Sequence, residues 1–129
     1  MWFWMAAALA GGGVVDAVEA FVRAGDRRDL EALEQVLHDD FRVVAQMPSG
    51  VSVIDRASYL GLVRGEKIGG EEREQQVHAV MESGDLATVK GSLQSPTAAF
   101  DCTWSLVKVD GAWRVVQDLV VFTPRLSEG

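Results

Sequence analysis

Asp110-Gly111 constrains the fold of this chain more than any other sequence feature, because β-rich runs flank it on both sides. Both residues tolerate positive φ, which the two-residue turn of a β-hairpin requires. Residues 100–122 are therefore predicted to form a two-stranded ribbon. With Asp110-Gly111 as the loop, Lys108 faces Trp113, and the pairing of the remaining residues follows from that contact.

This register divides the ribbon into two faces, since side chains alternate along a strand. It puts Trp104 opposite Gln117 and Cys102 opposite Leu119. The predicted aromatic face consists of Phe100, Cys102, Trp104, Leu106, Trp113, Val115, Leu119 and Val121. The predicted aspartate face consists of Asp101, Thr103, Ser105, Val107, Arg114, Val116, Asp118, Val120 and Phe122. A one-residue bulge would exchange the faces of one strand.

The composition favours one globular domain and argues against nucleic acid binding. A chain of 129 residues is long enough for one domain with its own core. Its net charge is −7, and its 12 basic residues are scattered among 19 acidic ones, whereas phosphate binding needs clustered Lys and Arg. The single cysteine, Cys102, excludes an internal disulfide and is interpreted as a small buried hydrophobic residue.

The first ten residues, MWFWMAAALA, are apolar throughout and precede three glycines. They are similar to the apolar core of a signal peptide, but the first basic residue is Arg23. Ten residues are too few to span a bilayer. Residues 1–13 are an apolar N-terminal arm packed on the domain or a partner, a remnant signal segment, or the product of an upstream start. The expected location is cytoplasmic, or exported if residues 1–10 act as a signal peptide.

Hydrophobic periodicity predicts helices first and long strands later. A first helix at residues 14–24 ends at Gly25, and a second begins at Asp26 and closes with residues 38–40. Strands at 41–46 and 51–54, a short helix from Asp55, and strands at 73–82 and 86–93 precede the ribbon. Helices on one side of an antiparallel sheet make an α+β domain, predicted here at residues 14–124, with a tail at 125–129. Such a sheet curls into a cone whose open mouth suits a small ligand.

Two segments of the chain resemble the nuclear-transport-factor-2-like superfamily. The segment AFVRAGDRRDLEALEQVLHDDFRVV resembles its opening helical pair and first strand, and VKVDGAWRVVQDLVVF resembles its closing hairpin. The nearest resemblance is to the group called putative lumazine-binding proteins, which is related to polyketide cyclase-like and ketosteroid isomerase-like groups. The resemblance covers residues 14–124. It implies a cystatin-like, cone-shaped curved antiparallel sheet wrapped around three N-terminal helices, and homodimers that pair through the outer face of the sheet.

The catalytic residues of the enzyme relatives are absent at the matching positions. A ketosteroid isomerase-like site needs a carboxylate base where this chain has Ala45. Its two oxyanion donors fall near Val18 and Ser105, and the acid of an epoxide hydrolase-like site falls near Val120. Without a base and a donor pair, enolisation has neither a proton acceptor nor charge stabilisation. The resemblance therefore favours a binder over an enzyme, although the superfamily contains both.

The polar residues that remain define the candidate site. The resemblance directs the predicted aspartate face into the cone, where Asp101 and Asp118 would be diagonal neighbours about 7–8 Å apart. Two carboxyl groups at such a short distance repel each other when both are ionised, which would raise the pKa of one of them, as an acid–base pair requires. Alternatively, both aspartates point to solvent, and the lone His78 is structural. The catalytic candidates are Asp101, Asp118 and His78, and the ligand-binding candidates are Tyr59, His78, Asp101, Thr103, Ser105, Asp118 and Phe122.

The predicted function is binding of a small hydrophobic or heteroaromatic molecule, without an assigned reaction. The alternatives are a polyketide cyclase-like isomerase, dehydratase or hydrolase, and an association module whose cone is filled by side chains. No metal site, cofactor, nucleic acid partner or membrane span is expected. The predicted homodimer surface is the sheet face of Phe100, Trp104, Leu106, Trp113 and Leu119.

Overall fold

A computed structural model describes residues 13–125 of the chain. The helices are α1 (Val14–Arg27), α2 (Leu30–Val36) and α3 (Arg56–Arg64). The strands are β1 (Leu37–Met47), β2 (Gly50–Asp55), β3 (Glu74–Ser83), β4 (Leu86–Gln94), β5 (Ala98–Val109) and β6 (Ala112–Pro124). The predicted N-terminal arm lies outside the described residues except for Gly13, and so does the predicted tail beyond Arg125.

The six strands form one open sheet in the order β2-β1-β6-β5-β4-β3. Neighbouring strands are antiparallel except for β1 and β6, which are parallel, so the sheet is mixed. Helix α1 contacts β3, β4 and β6, so the sheet curves around it. We call the side that the helices cover the inner face and the opposite side the outer face. This arrangement confirms the predicted α+β fold with helices on one side of the sheet.

The joint between the first two helices lies three residues later than predicted. Helix α1 continues through Gly25 to Arg27, and Arg28 ends it in the left-handed conformation with φ 53°. Asp29 caps α2, since its carboxylate accepts a hydrogen bond from the Ala32 amide at 3.1 Å. Asp26 does not cap α2 because its carboxylate binds Arg73 instead.

The end of the second helix also differs from the prediction. Helix α2 stops at Val36, and residues 38–40 belong to β1. The amide of Asp40 donates a hydrogen bond to Nδ1 of His38 at 2.9 Å, which is a local contact at the start of the strand. His38 therefore lies in a strand and not in the last turn of a helix.

One extra residue in β6 decides which ribbon side chains enter the core. Near the turn, Lys108 faces Trp113 as predicted, but Val116 has no partner in β5. This is a β-bulge, and beyond it the faces of β6 are exchanged relative to β5. Trp104 consequently lies opposite Asp118 and not opposite Gln117.

On β5, the predicted aromatic face is the inner face. The prediction that this face forms the dimer surface is therefore wrong for β5. Trp104 is 0% exposed and packs in the core with the helices. Phe100, Leu106 and Trp113 also lie in or against this core, so only Leu119 of the predicted dimer residues is on the outer face. Burying large aromatic side chains yields more free energy than burying the small polar residues of the opposite face, which explains the choice.

No helix within residues 13–125 has the length and apolar character that a membrane crossing requires.

Candidate functional site

The inner face of the β5–β6 ribbon consists of paired residues that run inward from the Phe100 end. Phe100 faces Phe122, and their rings are 5.4 Å apart at an edge-to-face angle. The next two inner pairs are Cys102 with Val120 and Trp104 with Asp118. Phe122 lies four residue positions after Asp118, which corresponds to about 13 Å along a strand. Asp118 thus lies deep in the cone relative to the Phe100–Phe122 pair.

The Oδ1 atom of the Asp118 carboxyl is buried and has no hydrogen-bond partner in the part of the chain that the structure describes. The residue as a whole is only partly buried. Burial raises the pKa of the Asp118 carboxyl to about 7, against the opposing effect of the Arg73 charge. At neutral pH this group is therefore able to bind or release a proton.

Trp104 places a second unpartnered polar atom beside Asp118. The Nε1 atom of Trp104 is buried, and no acceptor within the described residues takes its hydrogen. Gly91 on β4 makes room for the indole, because a β-carbon there would lie 2.9 Å from Cζ3 of Trp104 and 2.5 Å from the carbonyl oxygen of Gln76. Because Gly91 has no side chain, the indole of Trp104 can pack directly against the backbone of β4.

Tyr59 of α3 brings a hydroxyl to the same interior. Its ring packs against Phe41 at 5.3 Å and against Phe21 at 6.2 Å. Burial raises the pKa of the Tyr59 hydroxyl above its ordinary range, and the negative charge of Asp118 raises it further. Burial and Asp118 also raise the pKa of the Cys102 thiol, so both groups stay protonated at neutral pH.

Arg73 forms the border between this interior and the surface. Its Nε atom binds Oδ1 of Asp26 at 2.6 Å, and its guanidinium carbon lies 5.0 Å from the ring centre of Phe100. The Nη2 atom of Arg73 and the hydroxyl of Tyr59 would each lie 3.5 Å from a β-carbon built on Gly25. Both groups therefore lie close to the same point beside Gly25, so the Arg73 guanidinium is near the Tyr59 hydroxyl. The guanidinium also stacks on Phe100, which belongs to the outermost aromatic pair of the ribbon.

A charged groove of about 950 Å³ opens outside Arg73. Its walls come from α1, from the loop before β3 and from the loop between β4 and β5. Its basic side chains are Arg23, Arg27, Arg73 and Arg125, and its acidic ones are Glu19, Asp26, Glu71, Glu72 and Glu74. Asp118 does not line this groove, so Arg73 is the residue shared by the groove and the interior. A second surface cavity of about 750 Å³, beside β1 and α3, also lies away from Asp118.

The structure brings together only some of the predicted site residues. Tyr59 and Asp118 meet in the interior, and Phe122 lies in the outermost pair of the ribbon. The predicted inward direction of Asp101, Thr103 and Ser105 is wrong, because the bulge at Val116 puts Asp118 on the Trp104 face and leaves them on the outer face. Asp101 is 62% exposed and binds Lys90 at 3.1 Å, so it forms no acid pair with Asp118.

His78 occupies an irregularity in β3 and is also remote from Asp118. It is the unpaired residue between Val77 and Ala79, it is exposed, and its Nε2 lies 3.1 Å from Oγ of Ser92. Within residues 13–125, no group of three or more His, Cys, Asp or Glu side chains is arranged to hold a metal ion.

Sequence reasoning did not select Trp104, Arg73 or Asp26 for the site. The large apolar area of the Trp104 face is the signal that could have directed this residue inward, and a one-residue bulge is the signal that could have added Asp118 to it. Arg73 and Asp26 are 47 residues apart, and no local pattern connects them.

Residues 11–119 match the family model described as "Putative lumazine-binding". The chain belongs to this family. A search of curated proteins found no match. The family assignment confirms the resemblance to the group of putative lumazine-binding proteins.

Solved structures with the same fold have little sequence identity to this member of the lumazine-binding family. An NTF-2 like protein of unknown function from Silicibacter pomeroyi is 20% identical, with a TM-score of 0.73 over 87% of this chain and 92% of that one. A ketosteroid isomerase-like protein from Erwinia carotovora atroseptica is 18% identical, with a TM-score of 0.71 over 84% and 92%. A cystatin-like protein from Nostoc punctiforme is 13% identical, with a TM-score of 0.72 over 88% and 90%. At these identities the likeness shows the fold alone.

Proposed function

We propose that this protein binds a small molecule inside the cone, with Asp118 at the base of the site. The observation that carries the proposal is the enclosed Oδ1 atom of Asp118, which has no donor within residues 13–125. A buried acceptor without a partner costs about 1–3 kcal/mol, and buried polar groups in folded proteins are nearly always paired. A ligand that donates a hydrogen bond to Oδ1 would recover this free energy.

The surroundings of Asp118 favour a flat, largely apolar ligand. Trp104, Tyr59 and the Phe100–Phe122 pair supply aromatic surface along the inner face, and Cys102 and Val120 supply apolar surface. The route from the charged groove passes Arg73, so entry requires this side chain to shift. A heteroaromatic compound suits both the aromatic surface and the buried carboxyl group, since its ring stacks on aromatic side chains and its heteroatoms reach Asp118.

A thermal-shift screen tests this function with pterins, flavins, steroids and polyketides as probes. At least one class is expected to raise the melting temperature of the natural protein and to leave that of Asp118→Leu unchanged. Asp101→Leu is the matched control, because Asp101 lies on the outer face of the neighbouring strand and should keep the full ligand effect. Stabilisation by none of the classes, or equal stabilisation of Asp118→Leu, would contradict the proposal and favour an association module.

Acid–base catalysis is the second candidate function. It is favoured by the pKa of Asp118 near 7, which suits a group that must both accept and donate a proton at neutral pH. The same screen separates the two functions when each stabilising compound is recovered and analysed for chemical change. Conversion that stops in Asp118→Leu would establish an isomerase, dehydratase or hydrolase, whereas unchanged compound would establish a binder.

We also propose that the protein forms a homodimer through the outer face of β2, β1 and β6, which differs from the surface predicted from the sequence. Exposed apolar side chains lie in two adjacent rows across β2, β1 and β6. In the first row Val44 pairs with both Val53 and Leu119, and in the second Val51 and Val121 lie on either side of the exposed Gln46. Leu119 is 44% exposed at the β6 end of the first row. A contiguous exposed apolar patch of this kind is typical of a protein interface.

Light scattering coupled to size-exclusion chromatography tests the dimer. Leu119→Glu is expected to convert a dimer to a monomer, because the new carboxylate would be buried against its symmetry mate. Met81→Glu is the control, since Met81 is also apolar and is even more exposed, at 73%, but lies on β3 at the far side of the sheet. A monomeric natural protein, or the same loss in Met81→Glu, would argue against this surface.

A further inference from the structure

We propose that the charged groove of about 950 Å³ binds a short peptide whose two ends are free and charged. Arg23 and Arg27 of α1 would bind the carboxylate at one end of the peptide. Glu72 and Glu74, which lie before and at the start of β3, would bind the ammonium group at its other end. Asp118 does not line the groove, so this inference stands apart from the proposed function.

The basic wall of the groove contains two neighbouring arginines of α1. Arg23 and Arg27 are four residues apart, so their side chains are neighbours on one side of the helix. Both are exposed, and within residues 13–125 neither forms an ion pair. Glu19 lies one turn before Arg23 and also lines the groove, so Arg27 is the less compensated cation. Guanidinium groups bind carboxylates through pairs of N–H donors, so this wall suits the carboxyl end of a peptide.

The acidic wall of the groove is the segment that leads into β3. Glu72 and Glu74 flank Arg73 in the sequence, line the groove and are exposed. Neither of them pairs with a cation in the part of the chain that the structure describes. Glu71 on the same wall accepts a hydrogen bond from Oγ1 of Thr97 at 2.7 Å. Two carboxylates therefore remain to accept the N–H donors of an ammonium group.

Hydrogen bonds order both walls before a ligand binds. Nε of Arg73 donates to Oδ1 of Asp26 at 2.6 Å, and the Arg73 amide donates to Oδ2 of the same carboxylate at 3.1 Å. The amide of Gly70 donates to the carbonyl oxygen of Gly25 at 3.3 Å, which also ties the loop before β3 to α1. A groove whose walls are already ordered loses little conformational entropy when a ligand binds.

The opposite charges of the two walls favour a ligand that carries both signs. Among residues 13–125, the Arg73–Asp26 pair is the one ion pair between side chains that line the groove. A purely anionic ligand would approach the glutamates, and a purely cationic one would approach the arginines, so each would be repelled by one wall. The volume of the groove lies at the upper end of the range of about 300–1,000 Å³ for ligand sites, which favours a short peptide over a single amino acid.

The competing explanation is a solvated surface whose charges interact only with water and salt. Exposed charges of both signs are common on soluble proteins, and exposed ion pairs are weak. The two explanations differ in what they predict for a peptide with a blocked end. A solvated surface does not distinguish free from blocked ends, whereas the two walls of this groove require both charges.

Trialanine and three relatives are the matched probes. N-acetyl-trialanine lacks the ammonium group, trialanine amide lacks the carboxylate, and alanine carries both charges on one residue. In ¹H–¹⁵N titrations of the natural protein, trialanine is expected to shift amide signals of the groove, at residues 22–27 and 70–75. Each blocked peptide is expected to bind at least about fivefold more weakly, because it loses one exposed ionic contact. Alanine is also expected to bind more weakly, because it fills little of the groove.

Two double variants test which wall binds which end of the peptide. Arg23→Gln/Arg27→Gln should bind trialanine and its amide equally, while it still prefers trialanine to the acetylated form. Glu72→Gln/Glu74→Gln should show the reverse preference. Arg64→Gln is the control, because Arg64 is an exposed arginine at the end of α3 that does not line the groove. All five replaced side chains are exposed, so these substitutions leave the core intact.

Equal binding of trialanine and its blocked forms would overturn this inference, and so would binding of alanine as tight as that of trialanine. The absence of groove shifts with every probe would also overturn it and would indicate a solvated surface. A preference for free ends that persists unchanged in both double variants would place the peptide elsewhere and would likewise contradict the inference. The proposed function is judged by the thermal-shift screen with Asp118→Leu, so the two results are independent.

Discussion

Replacing Asp118 with Asn is expected to stabilise the protein by up to about 4 kcal/mol at pH 8 and by less than about 1 kcal/mol at pH 4. The substitution removes a carboxyl group whose pKa burial raises from 3.8 to about 7. In the natural protein, ionising this group in the folded state is costly because its surroundings have a low dielectric constant and its Oδ1 atom has no donor among the described residues.

The sign of the pH dependence follows from the order of the two pKa values. At a pH well below 3.8 the Asp118 carboxyl is protonated in both the folded and the unfolded chain, so it contributes no pH dependence. Between pH 4 and 7 the unfolded chain releases the proton while the folded chain keeps it, and the stability of the natural protein falls. Above pH 7 both states are ionised, and the loss is complete.

Urea denaturation at four pH values between 4 and 8.5 measures this effect as the difference in free energy of unfolding between variant and natural protein. Asp101→Asn is the matched control, because Asp101 is exposed on the outer face and its removal should change stability little at any pH. Parallel pH profiles for the natural protein and Asp118→Asn would show that Asp118 is solvated in the folded state.

Replacing Arg73 with Met is expected to destabilise the protein by about 3–5 kcal/mol, because it leaves the buried Asp26 carboxylate without a counter-charge and with only the hydrogen bond from the backbone amide of residue 73. The Arg73 and Asp26 side chains are 19% and 9% exposed, and their Nε–Oδ1 distance is 2.6 Å. Arg73 also contacts the carbonyl of Val22 and stacks on Phe100, so its loss loosens the outer end of the interior.

A double-mutant cycle separates the unpaired charge from the lost packing. The Asp26→Leu/Arg73→Met double variant should recover most of the stability that Arg73→Met loses, since no charge remains unpaired. Additive effects of the two single variants would mean that the ion pair contributes little and that packing accounts for the loss. In Arg73→Met the pKa of Asp118 should also rise, because the Arg73 charge lowers it. The fall in stability with pH should therefore extend to higher pH.

The order of the elements and the turn of the ribbon could be predicted from the sequence. These features depend on contacts between residues that are close in the chain. Asp110-Gly111 sets a turn through its own backbone preferences, with φ 52° and 81°, and the pairing of Lys108 with Trp113 follows directly from it. Alternation and helical spacing also predict three helices and six strands. The joint between the first two helices lies three residues later than predicted because Asp26 binds Arg73 instead of capping α2, and α2 ends at Val36, before its predicted end.

The composition of the site was decided only by the tertiary structure. Both faces of the ribbon contain enough apolar residues to be buried, so alternation could not tell which would meet the helices. Burial of the large aromatic side chains resolves this choice for β5, with Trp104 and Leu106 inside and Asp101 in solvent. The bulge at Val116 then adds Asp118 of β6 to the inner face. The Arg73–Asp26 pair likewise exists only because the sheet brings the start of β3 to the end of α1. Local preferences therefore determined the fold of this protein, whereas long-range packing determined which polar atoms were enclosed and left unpaired.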